Sequence, residues 1–179
     1  MKAEVELRGV QRVKKAEHRM PKWAMPLVKA CVVCLDGVLA AAAFVLAFMV
    51  RVGEPIFSPA AWAWSAEFVP YAGILYFAVP VRIVMLAYQR AYRLHGAFSY
   101  AHEAIKTFTA VSVGSLLIIG WAFLFRGGFA FREFSYSRGV FVLDFLFALA
   151  AFTVFHLTLR FVQEQVRRRD INLIPTLVV

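Results

Sequence analysis

Four blocks of apolar residues, each close to a membrane thickness in length, alternate with short polar and basic segments along the chain. The first, Ala30 to Val50, reads ACVVCLDGVLAAAAFVLAFMV and holds a single charged residue, Asp36. A helix rising about 1.5 Å per residue crosses a hydrocarbon core about 30 Å thick in about 20 residues. The pattern therefore predicts an all-α membrane protein, a four-helix transmembrane bundle with spans at about 30–50, 68–88, 107–125 and 139–159. Lys22 and Lys29 stand before the first block and Arg51 closes it, with Gly53 and Pro55 ending the helix. Pro80 lies inside the second and predicts a kink. Ser99 is a predicted N-cap for the helix that returns, in which Ala110 and Gly114 form a small-x-x-x-small pair suited to close packing. Trp62 and Trp64 predict that the 51–67 connection lies in the membrane interface. Gly127-Gly128 predicts the turn before the fourth block.

The flanking segments differ in kind. Residues 1–22 form a basic arm, separated from the membrane domain (23–160) by Pro21 and Pro26, with Trp23 at the boundary. Residues 161–179 are a basic linker that ends in Ile171–Val179, INLIPTLVV, a short β-branched run that reads as a strand with nothing in the chain to pair with.

Composition sharpens this picture. The 179 residues are 61% hydrophobic with a mean hydropathy of +0.68, well above the 45–50% apolar content usual for a soluble domain. The net charge of +9 is also found in nucleic-acid binders, but there the basic residues form a patch on a polar face. Here they sit at the ends of the apolar blocks, as orientation signals and lipid contacts do, so a nucleic-acid partner is not expected. The arm, the 89–106 connection and the tail carry most of them, which predicts both termini on the cytoplasmic side. Arg160, Arg167, Arg168 and Arg169 are candidate contacts to an anionic lipid surface. Cys31 and Cys34 have C-x-x-C spacing but lack both the soluble βαβ context of a redox motif and the further ligands of a zinc site.

Three charges fall inside the blocks and require partners. Asp36 lies seven residues past Lys29 and Arg82 eight before Arg90, so the two have similar depths from the same side and are predicted to pair. Asp144 lies six residues past Arg138, in an outer polar cluster with Arg51, Arg126 and Arg138. His156 is expected to be a packed or interfacial residue. The chain has no glycine-rich phosphate loop, no Ser/His/Asp set and no metal-ligand spacing, so no catalytic or metal residue is assigned.

Several local patterns combine into a resemblance: CLDGVLAAAAFVLAF closing in Arg51-Val52-Gly53, AYQRAYRLHGAFSYAHEAIK, FSYSRGVFVLDFLFALAAF, and LTLRFVQEQVRRRDINLIPTLVV. Together these resemble the N-terminal membrane domain of bacterial polyprenyl-phosphate sugar-1-phosphate transferases, over about Trp23 to Val179. The resemblance implies a bacterial inner-membrane anchor of an enzyme that starts exopolysaccharide, capsule or O-antigen synthesis on undecaprenyl phosphate. It implies magnesium in the full-length family, a homodimer through the helices and polysaccharide-assembly partners. Residues 171–179 resemble the first strand of the Rossmann-like nucleotide-binding domain that follows, so the chain is expected to be truncated, with the catalytic motifs beyond it. Membrane-bound nucleotide-sugar 4,6-dehydratases have a similar four-helix start and are the competing parent. A stand-alone small transporter or a membrane scaffold are the readings outside these families.

Overall fold

The computed structural model describes residues 23–92, 99–125 and 135–168. Helix α1 spans Ala24–Val52, α2 Val69–Tyr88, α3 Tyr100–Phe125 and α4 Arg138–Arg168. All four are long and apolar enough to cross a membrane. The basic arm 1–22, Arg126, the Gly127-Gly128 turn, Arg169 and the strand expected at 171–179 lie outside the described residues.

Each helix ends where its sequence gives it a reason to. Gly53 takes the left-handed conformation (φ 79°) and its N–H bonds the Met49 carbonyl at 2.9 Å, capping α1 as glycine does without a Cβ penalty. Pro70 falls in the first turn of α2, where a missing N–H costs nothing. Pro80 does not interrupt α2; its ring points outward, and the helix continues to Tyr88. At the other end of α2 the chain leaves through Arg90 in a left-handed conformation (φ 58°). The Arg90 N–H bonds the Ala87 carbonyl at 2.9 Å and the Ala91 N–H bonds the Leu86 carbonyl at 3.0 Å. This is a Schellman ending with arginine in the place glycine normally takes.

The connection predicted to lie flat in the interface contains a small hairpin. Strand β1 (Phe57–Ser58) pairs antiparallel with β2 (Ala63–Trp64), Phe57 opposite Trp64. Trp64 folds onto Phe68 with ring centroids 5.1 Å apart, while Trp62 at the tip is 86% exposed.

Successive helices are antiparallel neighbours, and α4 closes the ring against α1 in the most extensive of the helix contacts. Asp36 meets His156 at one end of this seam and Arg51 lies over Gly139 at the other. The ends of α1 and α4 that lead to the two termini therefore share one face of the bundle, the terminal face; the opposite is the loop face. The 20 residues of α2 match a hydrocarbon core about 30 Å thick, so α1, α3 and α4, with 29, 26 and 31 residues, extend beyond it.

The loop-side half is held by aromatic packing. Phe48 sits 4.9 Å from Phe68 and 5.1 Å from Tyr71, and Tyr71 is 5.3 Å from Tyr136. Two hydrogen bonds fasten the start of α4 to α2 here: Ser137 N–H donates to the Tyr71 hydroxyl (2.9 Å), and the Tyr136 hydroxyl donates to the Pro70 carbonyl (3.3 Å). The outward faces carry Leu35, Val38, Val84, Leu116, Val142 and Val154, an apolar surface suited to lipid.

Candidate functional site: two buried polar layers in a membrane bundle

Among the described residues six acidic or basic side chains are at most 4% exposed: Asp36, Arg82, Glu103, Asp144, His156 and Arg160. Charged groups inside a membrane domain are costly and require partners. The structure supplies them in two layers.

The first layer is loop-side of the middle. Arg82 donates to the Asp144 carboxylate at 2.5 Å and to the Ser115 hydroxyl at 3.3 Å. It joins α2 to α4 across the diagonal of the ring, with α3 contributing the serine. Gly114 lies against it: a Cβ there would be in ordinary van der Waals contact, 3.9 Å from Arg82 Cγ and 3.7 Å from Met85 Cγ. The small residue expected to serve close packing thus lies against the arginine stem.

The second layer lies towards the terminal face. His156 Nε2 on α4 is 3.3 Å from Asp36 Oδ1 on α1. Tyr92, just beyond the Schellman turn, places its ring 6.4 Å from the imidazole. Burial raises the Tyr92 phenol and the adjacent Asp36 carboxylate raises it further, so it stays a protonated donor. One turn beyond His156, Arg160 bridges to Glu103 of α3 at 3.1 Å and donates to the Ala91 carbonyl at 3.2 Å. Lys106 holds the other Glu103 oxygen at 3.1 Å, and the Tyr100 hydroxyl donates to Glu164. These contacts knit α3 and α4 together where they extend past the length of α2.

Three expectations from sequence are corrected here. Asp36 and Arg82 do not pair; each is held by a residue of α4. The reason is the lean of side chains towards the N-terminus of their own helix. Arg82 on α2 leans to the loop face, where Asp144 waits, and Asp36 on α1 leans to the terminal face, away from Arg82. Arg160 is likewise not a lipid-surface contact, since it is 3% exposed and bound to Glu103 and Ala91. Asp144 is not in a cluster with Arg51 and Arg138, which are exposed at the loop face. Arg51 lies over Gly139, where a Cβ would stand 2.5 Å from its Nε. Arg167 and Arg168 lie in the last turn of α4, with their side chains outside the described residues.

Glu103 and Tyr92 were not singled out in the sequence. Glu103 sits seven residues before Ala110, on the same face as the small-residue contact, and that spacing was the available signal.

The two polar groups stand at different heights in the bundle. Counted from the loop-face ends of the helices, Asp144, Ser115 and Arg82 stand at about 9, 15 and 20 Å, and Asp36, His156 and Glu103 at about 24, 27 and 33 Å. Ala40, Val111 and Phe152, all buried, stand at about 18 to 21 Å, level with the Arg82 backbone and the buried Ser112 hydroxyl, and pack into one cluster with Ala110 and Ala148. A groove between α3 and α4, lined by Phe108, Leu149, Ala150 and Thr153 among others, opens outward towards lipid. Among the described residues no group of three His, Cys, Asp or Glu side chains is placed to hold a metal ion, so the magnesium implied by the resemblance has no ligand set there.

Compared with protein families, with curated proteins and with solved structures, the chain matches none.

Proposed function

We propose that the four helices are a non-catalytic membrane anchor and assembly domain, set in a bacterial inner membrane with both termini cytoplasmic. The observation that supports this most is that the buried charges are paired between helices, Arg82 with Asp144, His156 with Asp36 and Arg160 with Glu103. Charges paired in this way hold helices together: Arg82 with Asp144 ties α2 to α4, and Asp36 with His156 ties α1 to α4. The contacts of Glu103, Arg160, Tyr100 and Glu164 stiffen the end of the bundle that leads into the basic tail, as suits a mount for a domain beside the membrane. Arg167, Arg168 and Arg169 would meet the anionic leaflet there, each worth about 1 kcal/mol.

The anchored activity is proposed from the resemblance alone: a sugar-1-phosphate transferase that loads undecaprenyl phosphate at the start of polysaccharide synthesis, held near its lipid acceptor. Two measurements test the two parts. Proteoliposomes of the chain under a pH gradient are expected to leak protons no faster than empty ones; a leak abolished by Asp36→Asn would overturn the anchor reading. Deleting the gene is expected to stop incorporation of labelled sugar phosphate into the undecaprenyl-phosphate pool; unchanged incorporation would remove the transferase.

A further inference from the structure

We infer that Asp36, Tyr92 and His156 form a proton-binding site that controls how firmly α1 is held to α4. The inference does not depend on what the bundle anchors.

Three segments bring their polar atoms to one point: α1, the turn after α2, and α4. Asp36 is 0% exposed and His156 2%. Both Asp36 oxygens and His156 Nε2 are buried without a well-formed hydrogen bond to each other, and the Tyr92 hydroxyl lies beside the Asp36 carboxylate. Unused capacity of this kind is expensive, since a buried polar group without a partner forfeits its hydration. The set has too few ligands for a metal ion, which takes at least four in a structural site. A proton fits it. Carried on His156 it turns the 3.3 Å approach to Asp36 into an ion pair, and its loss leaves a buried carboxylate facing a neutral ring.

The surrounding charges leave that role to His156. From α3 come Glu103 and Lys106, and from α4 Arg160; both cations are in contact with Glu103, and Arg160 also holds the Ala91 carbonyl. Lys29 on α1 and Arg90 after α2 are exposed. Among the described residues His156 is the cationic group within ion-pair distance of Asp36.

The position gives the proton leverage. Residues 26–31 of α1 are exposed, and the helix first becomes buried at Val32 and Asp36. The site is thus where α1 first grips the bundle from the terminal face. With the imidazolium formed, at the acidic end of the range of about pH 5 to 8 in which histidine exchanges its proton, the seam is closed. As pH rises and the proton leaves, the grip weakens and the first turns of α1 open more often.

The test uses the full chain in lipid nanodiscs. Imidazole ¹⁵N spectra, with His156 assigned by its loss in His156→Gln, are expected to show more of the doubly protonated ring at low pH than at high pH. In Asp36→Asn the ratio of doubly protonated to neutral ring at the lower pH should fall about tenfold, the size of a typical partner effect on an equilibrium. Amide exchange over residues 32–40, corrected for its intrinsic pH dependence, should speed up several-fold across the same range in the native chain and stay flat in His156→Gln. His156 neutral throughout, or a protonated fraction indifferent to Asp36→Asn, overturns the site. Exchange that ignores pH while His156 titrates overturns its control of the seam.

Discussion

The two buried pairs look alike in the sequence and differ in kind. Arg82–Asp144 crosses the diagonal of the bundle and couples a permanently charged guanidinium to a carboxylate. Asp36–His156 spans the α1–α4 seam and uses a side chain whose charge is conditional. The first has a short charge-assisted bond and a serine hydroxyl but leaves Arg82 Nε and Nη1 and Asp144 Oδ1 without partners, whereas the second has its two groups 3.3 Å apart without a hydrogen bond. The comparison teaches that one membrane bundle can carry a fixed brace and an adjustable one on the same helix, twelve residues apart on α4.

The largest effect is expected at the fixed brace. Arg82→Ala or Asp144→Ala leaves a buried charge without its partner and should cost about 3–5 kcal/mol in unfolding measured in mixed micelles. Replacing both, as Arg82→Met with Asp144→Leu, should recover most of that loss. Equal damage in the double variant would mean that the two residues act separately. The aromatic packing around the loop-side end of the same brace should come next: Phe48→Ala empties a fully buried site and should cost about 3 kcal/mol by the same assay. At the adjustable brace, His156→Ala should cost less, about 1–3 kcal/mol, and the deficit should shrink as pH rises, because the native chain loses the same contribution when its imidazole gives up the proton. A deficit that grows with pH would reverse the assignment of roles.

Two backbone positions complete the series. Arg90→Gly removes the strain of a left-handed non-glycine residue and should stabilise the chain by up to about 1 kcal/mol while leaving Tyr92 in place. Gly139→Ala meets only the flexible end of exposed Arg51, which can swing away, so a change beyond about 0.5 kcal/mol in either direction would show that this contact is rigid.

Much of the architecture was legible because the membrane imposes it. The length of the apolar blocks, the glycine at position 53 and the proline at position 70 sufficed to place the helices to within a few residues at most ends. The extensions of α3 back to Tyr100 and α4 on to Arg168 were missed, because hydropathy marks where the hydrocarbon ends and not where the helix does. The hairpin at Phe57–Trp64 was missed for a related reason: two-residue strands have no period to detect.

The partners of the buried charges were not legible from depth. Spacing along the chain gives height in the bilayer but not the rotation of each helix, and rotation decides which neighbour a side chain meets. Matching Asp36 to Arg82 by height ignored the direction in which each side chain leans. Arg160 was misread because a basic residue at the end of an apolar block normally faces lipid headgroups; only the extension of α3 brings Glu103 opposite it.

The central claim is that α4 supplies the partner of both intramembrane charges on α1 and α2. Coupling energies from double-variant cycles test it directly, comparing Arg82→Met with Asp144→Leu against Arg82→Met with Asp36→Leu. The account predicts a coupling of about 2 kcal/mol or more for the first pair and under about 0.5 kcal/mol for the second. A larger coupling between Arg82 and Asp36 would contradict it.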